Sequence, residues 1–486
     1  MLSFCKSIWE KKPCWLALIC AMLFYFLIAP FKPAGDMYLV ELASETIINT
    51  NFSDYYIVHE NGPLQTIIEG KVYTNLTNDI AFFYAVLYNI IISGLVLLFL
   101  SLSILIFLLC RRYLWVVCLL LFSIFLVLHW RITGNLLHSV MVVTQAMMAA
   151  ACVFVACKTV RLLGCPKDWL FIVLAGIVLG SFFSISSKAY NRDVYYLLPC
   201  LAGVYFTFCK KHTTAAMCLA LAIFFRHEMV FPLLLSYAIY FVVLGIQDVK
   251  PLMATVRALF PYVFISSLAM ILTAIVNYKI FFSTASYLVF MQNWLNIDAL
   301  YGLILSPGKG LFFYFPLAMY VLYKIILVKK YPPETIFLIS IVVMYWLYVS
   351  IAGPWYGGWC WGPRYLSLSI FAIIYLAVLH ADVIQKKVLV RYIVTGILIN
   401  FPTLLLDAGA NMPYYYEINK ARVESVVNVS GSPDFIHEFK ELSDTIFEPR
   451  FSPILLQYET FGKWFLHKRG TPYFDIMARF LLTGGK

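Results

Sequence analysis

Apolar residues in this chain come in long continuous blocks separated by short polar interruptions. The blocks do not alternate with period two, so they read as helices and not as strands of a barrel. Blocks of about 17–25 apolar residues are long enough to cross the hydrocarbon core of a bilayer. They fall near residues 14–29, 80–110, 113–129, 139–157, 169–187, 194–209, 213–226, 229–246, 258–276, 309–328, 334–352, 365–381 and 391–407. That pattern predicts an all-α polytopic membrane protein of about 11–13 transmembrane helices. The 80–110 block exceeds one straight span and is long enough to include a surface-lying helix. The pair within 213–246 is interrupted by Arg226-His227-Glu228.

The polar interruptions carry the orientation. Arg111/Arg112, Lys158/Arg161/Lys167, Lys210/Lys211, Lys250/Arg257, Lys329/Lys330 and Lys386/Lys387 fall in alternate loops. Cations in short loops mark the cytoplasmic side, which places the N-terminus inside and the C-terminal segment outside. Two outside segments are substantial. Residues 30–79 are rich in carboxylates, and residues 408–486 keep enough Phe, Tyr, Trp, Leu and Ile to predict a small folded domain rather than a disordered tail. The expected organisation is therefore a transmembrane module over 1–407 and an extracytoplasmic domain over 408–486.

Composition narrows the class. The chain is 62% hydrophobic and 13% charged, far from soluble globular usage. Its net charge of +11 invites a nucleic-acid reading, but the cations sit as topology signals and no basic stretch with interleaved aromatics forms a groove. No nucleic-acid partner is expected. Lys6, Lys11 and Lys12 precede the first apolar block without a clear cleavage site, so that block reads as a retained helix. The twelve cysteines show no CxxC and no zinc-ligand spacing, and no DxD occurs, so neither a metal nor another cofactor is expected. The sequons at Asn51, Asn75 and Asn428 matter only in a secretory-pathway cell.

Candidate chemistry gathers at the outside edge. Asp36 lies just past the first block and is placed to take a proton from a hydroxyl, with Glu41 and Glu45 following at helical spacing. The plainer reading is a solvated cap or loop carboxylate. Lys71, in a turn-rich part of the same loop, is either a phosphate contact or an ordinary exposed lysine. Ser306-Pro-Gly-Lys-Gly310 is a tight turn entering a helix, whose N–H groups attract anions and which holds Lys309 near the membrane. The segment Gly353-Pro-Trp-Tyr-Gly-Gly-Trp-Cys-Trp-Gly-Pro-Arg-Tyr365 packs aromatics and glycines around Arg364, whose guanidinium fork suits phosphate or carboxylate. Trp355, Tyr356, Trp359 and Trp361 serve there as cleft walls or as interfacial anchors. Arg192 and His227 join the expected substrate cleft. Arg192-Asp193 also reads as a structural ion pair, and the Arg226 triplet as interfacial snorkelling.

These motifs together resemble those of the GT-C membrane glycosyltransferases. The likeness rests on the membrane-proximal Gly35-Asp36, on Ser306-Pro-Gly-Lys-Gly-Leu311, on Gly357-Gly-Trp-Cys-Trp-Gly-Pro-Arg-Tyr365 and on Arg450-Phe-Ser-Pro-Ile-Leu455. It is nearest to the protein-mannosyltransferase-like branch that uses polyprenyl-phosphate sugars. In size and plan the chain is also similar to the O-antigen glucosyltransferases of serotype-converting phages. The resemblance implies a GT-C-like bundle and an inverting transfer of one sugar from a polyprenyl-phosphate donor to an extracytoplasmic glycan acceptor. It implies Asp36 as general base, and Arg364, Lys309 and Lys71 as donor-phosphate contacts. Met37 departs from the pattern, since related sequences often carry a second acid there; the next one here is Glu41. An O-antigen polymerase or ligase, and a flippase or transporter of lipid-linked sugar, are the competing expectations. A transporter calls for polar groups at the bilayer midplane.

Overall fold

The computed structural model describes residues 13–27, 113–133, 135–188, 193–247, 252–276, 296–351, 355, 361–405, 447, 452–455 and 457–458. Every regular element among them is helical. In chain order these are α1 (Pro13–Leu27), α2 (Tyr113–Thr133), α3 (Leu136–Leu162), α4 (Leu170–Val178), α5 (Phe183–Lys188), α6 (Asp193–Phe208), α7 (His212–Gln247), α8 (Leu252–Val276), α9 (Ile297–Leu305), α10 (Leu311–Tyr314), α11 (Leu317–Ile326), α12 (Pro333–Ile351), α13 (Ser367–Leu379) and α14 (Lys386–Leu405). A 3-10 turn, Arg364–Leu366, leads into α13.

Five stretches are long and apolar enough to cross a membrane: Leu136–Leu162, Met229–Ile246, Thr255–Leu272, Pro333–Ile351 and Lys386–Leu404. Their surfaces agree with a lipid surround. On α8, Val256, Phe260, Val263, Phe264, Leu268 and Ile271 are all exposed. An apolar face that wide needs a partner or a bilayer. The chain is an all-helical protein with the makings of a polytopic membrane bundle.

Two compact units divide the chain. The first takes Met1–Phe154, Ser187–Val194 and Tyr473–Lys486. In it α1 packs on α2 and α3, with Phe26 stacked on Phe125 at 4.0 Å and Trp15 5.0 Å from Phe154. Its α2–α3 corner is polar inside: buried His129 is hydrogen-bonded to Ser139 (2.9 Å), and Ser139 to Thr133 (3.1 Å).

The second unit takes Val155–Ser186 and Tyr195–Pro472. Its α7 is a hairpin. Arg226 leaves helical geometry (φ −162°, ψ 76°), and the rings of His212 and Phe241 come within 5.3 Å. A straight helix would hold those two residues about 43 Å apart. The chain therefore reverses at Arg226, as the two separate spans 213–226 and 229–246 require. The arms pack on α8 and α12 through rings of Tyr237, Tyr240, Tyr262 and Phe337.

Two expected spans are broken. The 169–187 span is split into α4 and α5 around Gly180-Ser181, where the Ser181 hydroxyl bonds back to Ile177 O and that of Ser184 to Val178 O. Side chains that satisfy the last carbonyls of a helix favour its end. The 309–328 span is split at Phe315-Pro316, since a residue before proline is pushed out of the helical region; Phe315 has φ −144°, ψ 72°. Helix α9, capped by the Asn296 side chain on two backbone N–H groups, adds an element outside the expected spans. Nine residues are too few to span a bilayer, so length alone hid it.

Of the expected C-terminal domain, Phe447, residues 452–455 and residues 457–458 are described. Phe447 lies against Tyr301 and Trp355, and the Tyr458 hydroxyl donates to Leu398 O on α14.

A candidate anion site in the second unit

Opposite ends of the second unit treat their cations differently. At one end meet the loops 163–169, 209–212, 327–332 and 380–385. Lys386 binds Asp168 at 2.5 Å, Thr335 is hydrogen-bonded to His380 at 2.7 Å, and the Gln385 N–H donates to the Tyr320 hydroxyl. The Lys386 ammonium holds the exposed Asp168 carboxyl below its usual range. Lys158, Arg161, Lys167, Lys210, Lys211, Lys329, Lys330 and Lys387 are all exposed there. At the other end, Arg226 (7% exposed) and Lys309 (4%) are buried, and Arg364 is half-buried. A cation withdrawn from water is costly unless charge or aromatic faces compensate.

Tyr365 supplies part of that compensation. The Arg226 guanidinium lies 4.8 Å from its ring centroid and the Arg364 guanidinium 5.1 Å. Arg364 also donates from Nη2 to the Tyr365 hydroxyl at 3.3 Å, and Arg226 lies 5.8 Å from the Tyr196 ring. Cation–π contacts of this kind contribute roughly 0.5–2 kcal/mol each. The two guanidiniums are within about 10 Å of one another, where they repel by roughly 1.7 kcal/mol at an effective dielectric near 20. An anion received between or beside them turns that repulsion into attraction.

Local structure holds both loops. Ser306 accepts the Lys309 N–H at 3.0 Å while its hydroxyl donates to Gly302 O at 2.7 Å, and the Gly310 N–H donates to Ser306 O at 2.7 Å. Lys309 thus sits in a turn locked to the end of α9. Trp355, 1% exposed, packs directly on Gly302 of α9. Trp361 packs edge-on against Tyr314 of α10 (5.1 Å) and donates to Asn400 Oδ1 of α14 at 2.9 Å. Asn400 in turn donates to Tyr314 O and Gly396 O. Gly362 turns the chain with φ +64°, beside Tyr314 and Phe182, and Arg364 follows in the 3-10 turn. The Lys309 turn and the Arg364 turn are therefore pinned side by side at both ends, by Trp355 on Gly302 and by Trp361 on Tyr314.

Lys309 and Arg364 are thus brought onto neighbouring loops, and Trp355 and Trp361 brace those loops from within the core. Arg226, Tyr365 and Tyr196 are the additions that sequence reasoning did not assign to the site. A charged triplet flanked closely by apolar residues was the available signal for Arg226. His227 lies on α7 next to it, its side chain outside the described residues. Asp36, Glu41, Lys71, Arg192, Tyr356 and Trp359 lie outside the described residues altogether. Among the described residues no group of three or more His, Cys, Asp or Glu is placed to hold a metal ion. Comparisons with protein-family models, with curated proteins and with solved structures gave no match.

Proposed function

We propose that this chain is a membrane glycosyltransferase that moves a single sugar from a polyprenyl-phosphate donor to an extracytoplasmic glycan acceptor with inversion. Glucose and O-antigen are the sugar and acceptor suggested by the resemblance noted in its sequence. The observation that carries the reading is the inward placement of Arg226, Lys309 and Arg364, opposite an end whose cations stay in water. Fixed cations at a low-dielectric boundary stabilise the charge that grows on a departing phosphate. Asp36 is the proposed base for the acceptor hydroxyl, with Glu41 as the next carboxylate and Lys71 as a further phosphate contact. The site end faces outward, and the exposed Lys and Arg loops face the cytoplasm.

The test is transfer by the purified chain in lipid with undecaprenyl-phosphate glucose and an O-antigen acceptor. Asp36→Asn is expected to abolish transfer at normal expression, and Arg364→Ala to raise the KM for the lipid donor. Full activity of the Asp36→Asn variant sinks the mechanism. Use of a soluble nucleotide sugar as direct donor sinks the reading.

A further inference from the structure

We propose that Arg226 makes the site discriminate phosphate by charge, holding the polyprenyl monophosphate product more tightly than the sugar-bearing donor. This rests on the donor reading above. In that donor the phosphate is a diester and carries one negative charge. Transfer breaks the bond between the anomeric carbon and the phosphate oxygen, and the oxygen keeps the electron pair. The acceptor hydroxyl forms the new bond and its proton leaves to the base. The phosphate becomes a monoester, whose second ionisation near pH 6 gives it a charge between about −1.5 and −2 at neutral pH. One cation suffices for the diester; the charge that appears during the reaction calls for another.

The geometry gives Arg226 that role. It shares the Tyr365 ring with Arg364, at 4.8 and 5.1 Å, so the two guanidiniums act on the same small volume. Arg364 is half-buried and Arg226 is buried, so an anion arriving from solvent meets Arg364 first. Arg226 also sits at the reversal of the α7 hairpin, where φ −162° and ψ 76° interrupt the helix, and the Tyr345 hydroxyl binds the carbonyl of Met229 just beyond it. A reversal can be closed by neutral residues, and a buried guanidinium is an expensive choice for closing it. Charge directed at a partner explains the choice.

The experiment compares two lipids on the full chain in nanodiscs, undecaprenyl monophosphate and its methyl diester, by tryptophan fluorescence titration at pH 7.5. Wild type is expected to bind the monoester at least ~10-fold more tightly than the diester. Arg226→Gln is expected to bring that ratio close to one, chiefly by weakening the monoester. Arg226→Lys keeps the charge and is expected to retain most of the preference. A ratio unchanged in Arg226→Gln overturns the proposal, even where thermal stability falls, because a structural role moves both lipids together. Binding of neither lipid by wild type overturns the donor reading and this inference with it. Wild-type binding of both lipids with equal affinity overturns the inference alone.

Discussion

Tyr365 separates packing from charge at the site. Its ring serves two guanidiniums and its hydroxyl accepts from one of them. Tyr365→Phe keeps the faces and loses one hydrogen bond to a charged donor, a change of about 1.5–3 kcal/mol at most. Tyr365→Leu loses both cation–π contacts. The donor KM is therefore expected to rise more in Tyr365→Leu than in Tyr365→Phe, with the fold intact in both by thermal unfolding. Equal effects would mean that the hydroxyl alone matters. Ser306 offers the matching experiment on the other loop. It fixes the Lys309 backbone through one accepted and one donated hydrogen bond. Ser306→Ala is expected to cost about 1–3 kcal/mol of stability and to weaken lipid-phosphate binding although it removes no charge.

Among the helices, the contact of α4 with α14 is the one most sensitive to size. Gly180 and Gly396 bring two backbones together, and a Cβ on Gly396 would collide with the Gly180 carbonyl. Gly396→Ala forces the helices apart and is expected to cost about 1–3 kcal/mol, read as a lower unfolding temperature. Moving α14 also moves Asn400, the partner of Trp361, so lipid-phosphate binding should weaken as well. His380 gives the junction of α12 and α13 a pH dependence. Burial lowers its pKa below 6.5, against a smaller opposing pull from Asp382. The folded state then binds fewer protons than the unfolded one, so stability is complete above about pH 6.5 and declines as pH falls through that value. The unfolding temperature should drop between about pH 7.5 and 5.5, and His380→Gln should flatten that drop. Most of this architecture is legible in the sequence where an apolar block has clean ends: α1, α6 and α12 begin and stop within two residues of the expected limits. The Arg226-His-Glu interruption likewise marked the hairpin. The breaks at Ser181 and Pro316 were lost because mean hydropathy stays high across them, and α9 because it is short. The clustering of Arg226 with Arg364 was not legible, since their contact joins positions far apart in sequence through one tyrosine.

Across the second unit, the segregation of cations makes an orientation test possible. Helix α12 runs from Pro333, beside the exposed Lys329 and Lys330, to Ile351. Near that far end, Trp346 donates to Leu300 O of α9 at 3.1 Å. Its 19 residues measure about 28 Å, close to the hydrocarbon thickness of a bilayer. Lys330 and Asp298 are both exposed and belong to opposite ends. With the anion site outside, an impermeant maleimide added to intact cells should label Asp298→Cys and leave Lys330→Cys unlabelled until the membrane is opened. The native background is favourable: burial and the nearby Asp168 push the loop thiol of Cys165 up to about 11, so it is scarcely thiolate at neutral pH and reacts slowly. Labelling of Lys330→Cys on intact cells would put the exposed cations outside and the buried ones in the cytoplasm. The lipid phosphate would then be met on the side where nucleotide sugars are available, and the proposed donor would lose its reason.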